Sequence, residues 1–300
     1  MQDKSGTLAG KRIGIFGKGG AGKSTVVVLV AKVLRTLGYQ VFILDADSTN
    51  VGLSRALGIH QTPKTLLDYY GGMVFSGGVV TCPVDDPTPL QGAEIHFEEL
   101  PPQYYALNKD GIVLMVAGKI GSRGPGAGCD GPISKIARDI ILHRKGQEPV
   151  TLIDFKAGFE DSARGVVTSL DWAIVIIDPT TASVEIAANM RDMVQQIRDD
   201  TLPATAHLDN PDMVSLANKI FTDSKIEDVF FVLNKIPNAE TENYLREKLL
   251  DKDITPLGVI HEDPTISVAW LKGDPIKADV VMGEVQLFLE KLVDKLDGRS

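Results

Sequence analysis

The stretch GKGGAGKST, Gly17–Thr25, decides how this chain is to be read. An apolar run, RIGIF from Arg12 to Phe16, leads into it, and a helix-period stretch from Lys23 to Leu37 leaves it. It satisfies G-x-x-x-x-G-K-[ST] between a predicted strand and a predicted helix, the context that separates a phosphate-binding loop from a chance glycine-rich turn. Gly19, Gly20 and Gly22 allow tight turns, so the backbone N–H groups of Gly17 through Thr25, Ala21 included, can point at phosphate oxygens beside a helix N-terminus. Lys23 is placed to neutralise β- and γ-phosphates, and Ser24 to hold Mg²⁺ through its hydroxyl. Lys18 is one lysine more than such a loop needs.

Outward from that loop, short apolar runs alternate with helix-period stretches. VFILDAD (Val41 to Asp47), GIVLMVAG (Gly111 to Gly118), VTLIDF (Val150 to Phe155), WAIVIID (Trp172 to Asp178), VFFVLNK (Val229 to Lys235) and TPLGVI (Thr255 to Ile260) read as strands. Most are continuously apolar, as parallel strands covered on both faces must be. Helices are expected at Lys23 to Leu37, Ile133 to His143, Ser183 to Ile197 and Ala239 to Leu250. The order implies an α/β fold: a doubly wound, mostly parallel sheet with helices on both faces and ligands outside the carboxyl ends of the strands. No repeat or low-complexity linker divides residues 1–300, so one domain is expected. Two stretches break the alternation, 71–110 and 201–228. They read as surface excursions and are the first places to seek a partner-specific surface.

A net charge of −9 with no basic tail argues against nucleic-acid binding. The longest apolar runs, such as Val26 to Val30, are too short to span a bilayer, and MQDKSGTLAGKR at the start lacks an apolar signal core. A cytoplasmic protein without stable membrane insertion is expected. There the two cysteines, Cys82 and Cys129, do not suggest a disulfide framework.

A phosphate loop needs acids at neighbouring strand ends to hold the metal and position water. Asp45 and Asp47 end the second predicted strand in ILDADSTN, and Asp154 ends another in TLIDFKAG, where Gly158 suits a segment that senses the γ-phosphate. Asp45 is open between metal ligand and helix cap. The early lysine of K-G-G-x-G-K-[ST] resembles the deviant Walker A family of MinD, ParA, arsenite-pump and nitrogenase iron-protein ATPases. KGGAGKST, DADSTN, DFKAGFE, VLNKIPN and PLGVIHEDPTISVAWLKGDPI stand in that family's order, so the resemblance spans nearly the whole chain. DFKAGFE and the final segment most resemble the ATPases that mature carbon monoxide dehydrogenase by nickel insertion.

The resemblance implies an ATP-dependent homodimer with Lys18, Lys23, Asp47 and Asp154 in catalytic roles. In it Lys18 reaches the partner's phosphates, as an arginine finger does. Mg²⁺ would be held by Ser24, Asp45 and Asp154, partly through water, and the base by Asn234 and Lys235. His261 stands where the family pattern has proline.

Cys129, in GPGAGCDGPISKI, resembles a cluster cysteine of the nitrogenase iron protein, whose second ligand falls where this chain has Asp161. It also resembles the Cys-x-Cys of nickel-inserting ATPases, with Gly131 at the second cysteine. A [4Fe–4S] cluster wants four thiolates, more than two copies of Cys129 supply. An intersubunit transition metal at Cys129 and a small buried residue remain alternatives, and Cys82 has no spacing to recommend it.

The functional expectation is a Mg²⁺-dependent ATPase switch that assists metallocentre maturation or metal delivery to a client redox enzyme. The alternative is a positioning or partitioning ATPase of the MinD or ParA kind. A membrane-binding member would end in a basic amphipathic helix. Here the apolar stripe Leu287, Leu289, Leu292, Val293 and Leu296 is expected to pack on the sheet.

Overall fold

Strands that are apolar on both faces need cover on both faces, and the computed structural model, which describes residues 6–120 and 129–298, supplies it. In chain order the strands are β1 (Arg12–Gly17), β2 (Val41–Asp45), β3 (Glu94–His96), β4 (Ala106–Leu107), β5 (Val113–Val116), β6 (Ile141–His143), β7 (Val150–Asp154), β8 (Trp172–Ile177), β9 (Asp228–Ile236) and β10 (Gly258–His261). The α-helices are α1 (Lys23–Thr36), α2 (Leu53–Ala56), α3 (Leu66–Tyr69), α4 (Gly131–Asp139), α5 (Glu160–Ala163), α6 (Thr181–Arg198), α7 (Pro211–Thr222), α8 (Ala239–Leu250), α9 (Pro264–Lys272) and α10 (Asp279–Asp297).

The central sheet runs β10-β9-β8-β1-β7-β2-β5-β4. All its pairs are parallel except the short edge strand β4 against β5. β1 lies between β7 and β8, so the chain order changes direction there, and a crevice opens outside the carboxyl ends of these strands. Side chains alternate faces along each strand. Ile13 and Ile15 of β1 therefore join one core with α1 and α10, whereas Phe16 joins the other with Phe155, their rings stacked at 4.6 Å. α1 is buried along nearly its whole length because α10 covers the face turned away from the sheet.

Three sequence expectations change. The helix expected over Ile133 to His143 stops at Asp139: Ile141, Leu142 and His143 instead pair in parallel with Glu94, Ile95 and His96. Pairing with a distant segment overrides the local apolar period there. On α10 the buried stripe includes Phe288, Leu289, Leu292, Val293 and Leu296, but Leu287 is exposed. The 71–110 excursion is also more than decoration, since Met73, Val80, Ile95 and Leu100 close one core. The second excursion carries α7 and meets the first where the His207 ring approaches the Val84 carbonyl at 2.9 Å. The glycine-rich lead-in to Cys129, residues 121–128, lies outside the described residues.

Candidate active site

The loop leaving β1 turns into α1 at Gly22, whose φ of +95° is left-handed. A Cβ there would lie 2.3 Å from Asn234 Nδ2, so both conformation and contact require glycine. Asn234, buried near the end of β9, donates from Nδ2 to the Ala21 carbonyl at 2.7 Å. Lys235 donates to the Gly20 carbonyl at 2.9 Å. Both residues expected at the base thus brace the loop from β9 in this state.

Lys23 is 6% exposed and its ammonium curls back to the Lys18 carbonyl at 3.4 Å. Burial lowers its pKa, while Asp154 and Asp47 pull in the other direction. The loop closes on the segment after β7 through the Gly158 N–H, which donates to the Gly17 carbonyl at 3.2 Å.

Parallel register sets Asp45 of β2 directly beside Asp154 of β7. Asp154 is fully buried; burial, followed by the charge of Asp45, pushes its carboxyl up to about 7. Burial likewise pushes Asp45 up to about 6 against the pull of Lys119. The Ser24 hydroxyl donates to Asp154 Oδ2 at 2.6 Å and accepts from Asn50 Nδ2 at 2.8 Å. Among the described residues, the buried Oδ1 of each aspartate has no hydrogen-bond partner. Two carboxylates with spare oxygens beside a hydroxyl form the all-oxygen donor set that suits a hard divalent cation, so Ser24, Asp45 and Asp154 fit Mg²⁺.

Asp47 is oriented by its own turn: Oδ1 accepts from the Thr49 N–H at 2.9 Å, the Thr49 hydroxyl at 2.7 Å and the Asn50 N–H at 3.2 Å. Lys18 reaches Asp178, just beyond β8, with 3.1 Å between Nζ and Oδ2. Against the cost of burial, the hydroxyls of Ser183 and Thr180 and the Lys18 ammonium hold the Asp178 carboxyl below the usual range. Lys18 is therefore tied down within its own chain.

Sequence reasoning missed several of these groups. Asp178 ends an apolar run just as Asp154 does, so a signal existed. Lys119 also follows a strand, and its ammonium bridges Asp45 at 2.7 Å and the Asp47 carbonyl at 2.5 Å. Trp270 of α9 donates to the Thr25 hydroxyl at 2.9 Å from 245 residues away, which no local pattern reveals. His261 is held by Glu284, which accepts from its backbone N–H at 2.9 Å and meets its ring Nδ1 at 2.6 Å.

The thiols also depart from expectation. Cys129 Sγ accepts from the Gly131 N–H at 3.3 Å, and Cys82 packs against that same glycine, where a Cβ would lie 2.7 Å from Cys82 Sγ. Cys82 is thus a neighbour of the Cys129 segment. Among the described residues, no group of three or more His, Cys, Asp or Glu side chains is placed to hold a metal ion.

A phosphate loop braced by β9, with two buried acids beside its serine, is the arrangement of a nucleotide-binding sheet. The family model for the CobQ/CobB/MinD/ParA nucleotide binding domain matches residues 15–276. The chain belongs to that family. It is a P-loop ATPase of the MinD/ParA superfamily. An uncharacterized ATP-binding protein of Methanocaldococcus jannaschii is 29% identical over 272 residues, covering 90% of this chain and 95% of that protein. The carbon monoxide dehydrogenase accessory protein CooC of Rhodospirillum rubrum is 28% identical over 242 residues, covering 72% of this chain and 85% of that protein. The septum site-determining protein MinD of Pyrococcus horikoshii, solved with Mg-ADP, shares the fold at a TM-score of 0.58 and 19% identity, covering 96% of this chain and 97% of that one.

Proposed function

We propose that this ATPase is a magnesium-dependent switch that closes as a homodimer on ATP and serves metallocentre maturation or metal delivery to a client redox enzyme in the cytoplasm. The observation that carries the switch is the contrast between the two loop lysines. Lys23 is buried within its own loop, whereas Lys18 is held on Asp178. In this reading the loop N–H groups and Lys23 bind the β- and γ-phosphates, and Lys18 leaves Asp178 to reach the nucleotide of the facing chain. Ser24, Asp45 and Asp154 would hold Mg²⁺, which supplies charge neutralisation at the phosphates. Asp47 orients the attacking water, and Asn234 and Lys235 contact the base while bracing the loop. None of this chemistry needs a covalent step on the protein; it rests on position and charge.

The maturation role is favoured by the relation to the R. rubrum accessory protein and by Cys129 just before α4, a thiol available as a transition-metal ligand. Against a positioning role, α10 spends its apolar face on the sheet. Among the described residues, no helix is long and apolar enough to cross a membrane.

Sedimentation of the protein with ATP, ADP or no nucleotide tests the switch, and adding liposomes or DNA tests its output. The expected result is a dimer with ATP and no co-sedimentation, with a metalloenzyme recovered alongside the protein from its native cell. ATP-dependent sedimentation with lipid or DNA and no metalloenzyme partner would replace maturation by positioning.

A further inference from the structure

Cys82 and Cys129 come from segments 47 residues apart, yet both sulfurs flank the Gly131 peptide at the start of α4. Cys129 Sγ accepts from the Gly131 N–H. Burial raises the Cys82 thiol against the smaller opposing pull of the Val84 and Asp85 backbone, so a metal ion has to displace its proton.

The juxtaposition is built into the fold. Lys135 of α4, only 4% exposed, donates to the Thr81 hydroxyl at 2.8 Å and to the Asp86 carbonyl at 3.0 Å, with Asp86 Oδ2 at 3.2 Å. It thereby pins both ends of the segment that carries Cys82. Glycine at 131 leaves the gap between the thiols open, since any Cβ there would come 2.6 Å from Cys82 Cβ.

We propose that Cys82 and Cys129 of one chain form a thiolate pair that takes up one thiophilic metal ion of the zinc class. Zinc bonds thiolate sulfur at about 2.3 Å, so the two half-buried side chains close on the ion by rotation. Each cysteine gives up its proton to solvent and donates a sulfur lone pair to the ion, with no change of oxidation state. Two protein ligands leave the remaining coordination positions to water or to an incoming acceptor. A site so open suits transfer better than storage.

The pair is also tied to the segment that follows Asp154. Asp130, between Cys129 and Gly131, meets the Lys156 ammonium at 2.5 Å, and Ser134 of α4 donates to Asp161 at 2.7 Å. Lys156 and Asp161 belong to the segment that follows Asp154. The description of the ion as cargo rests on the maturation reading; the site itself does not.

Zinc is titrated against a chromophoric chelator into the full chain under reducing conditions, and Co²⁺ is used as a spectroscopic probe. We expect one ion per chain and a sulfur-to-cobalt charge-transfer band. Cys82→Ser and Cys129→Ser should each weaken zinc binding by at least about 100-fold, since loss of even an outer-shell partner can cost that much. Retained ATP binding certifies that both variants fold. Independently of any variant, a trivalent arsenical, which bridges paired thiols, should add once per unmodified chain, and prior zinc should block it. Zinc affinity unchanged in Cys82→Ser, or one ion per two chains held by that variant, would overturn the pair in favour of Cys129 acting across subunits. An intrachain disulfide that forms readily in a chain taking up no zinc would overturn it as well. Zinc bound as described with no client served would sink the maturation reading alone. Client activation that survives both serine variants without bound zinc would sink the description of the ion as cargo alone.

Discussion

Lys23 is the residue whose loss has the plainest consequence. Its ammonium is buried inside its own loop, and Lys23→Ala removes the cation that the proposed site sets against the β- and γ-phosphates while leaving a small cavity. Nucleotide binding should fall below detection by calorimetry; unchanged ATP hydrolysis would show that phosphate is bound elsewhere. The acids beneath the loop make a different prediction, because burial raises their carboxyls instead of lowering them. Asp154 titrates at about 7 in the folded chain against 3.8 in the unfolded one. The folded state therefore holds a proton that the unfolded state has released, and stability present below the unfolded value is lost as pH rises through 7. Without nucleotide and in chelator, the protein should lose on the order of a few kcal/mol between about pH 5 and pH 8, with Asp45 contributing in the same direction. Asp154→Asn removes its own share, so its urea midpoint should change less over that range and exceed the parent's at pH 8. An equally steep profile in the variant would place the titration on another group.

At the scale of elements, the ends of β2, β5 and β7 act together. Lys119, just past β5, ties the carboxylate of Asp45 to the backbone at Asp47. Lys119→Met strips a buried carboxylate of its cation, and Asp45 escapes part of the penalty by taking up a proton. We expect a loss of about 1–3 kcal/mol, greater at pH 8 than at pH 6, in thermal or urea melts. A pH-independent loss would mean that Lys119 serves only as packing. The strands and their acids were legible because a strand buried on both faces must be apolar throughout and can bear charge only where it ends. Hence Asp45 and Asp154 stood out in VFILD and VTLID. Features set by distant pairing were not legible. Ile141–His143 became β6 because Glu94–His96 arrives beside it, and Leu287 yielded its place inside to Phe288, which packs at Gly258. Cys82 had no motif, since its meaning comes from Gly131, reached through the fold.

At the scale of the whole molecule, the proposed switch divides the labour of one site between the loop lysines of two chains. In it Lys23 acts on its own nucleotide, whereas Lys18, resting on Asp178 in the single chain, is assigned to the partner's. Lys18→Ala should therefore leave ATP binding by the monomer largely intact. It should weaken ATP-induced dimerisation and slow hydrolysis, with a loss approaching about 10³-fold if the lysine works as trans-acting fingers do. Asp47→Ala should also bind ATP and fail to cleave it, because a water-orienting carboxylate is not needed for affinity. Mixing the two inactive chains then isolates the crossing. In the heterodimer, the Lys18→Ala subunit keeps Asp47 and receives Lys18 from its partner, so one complete site is assembled from two defective chains. Hydrolysis should rise with the fraction of heterodimer to about half the parental rate per dimer, on the reasoning that one of two equivalent sites is restored. If heterodimers form and ATP turnover stays at the level of the separate variants, Lys18 acts within its own chain, and its contact with Asp178 belongs to the working site instead of to the resting state.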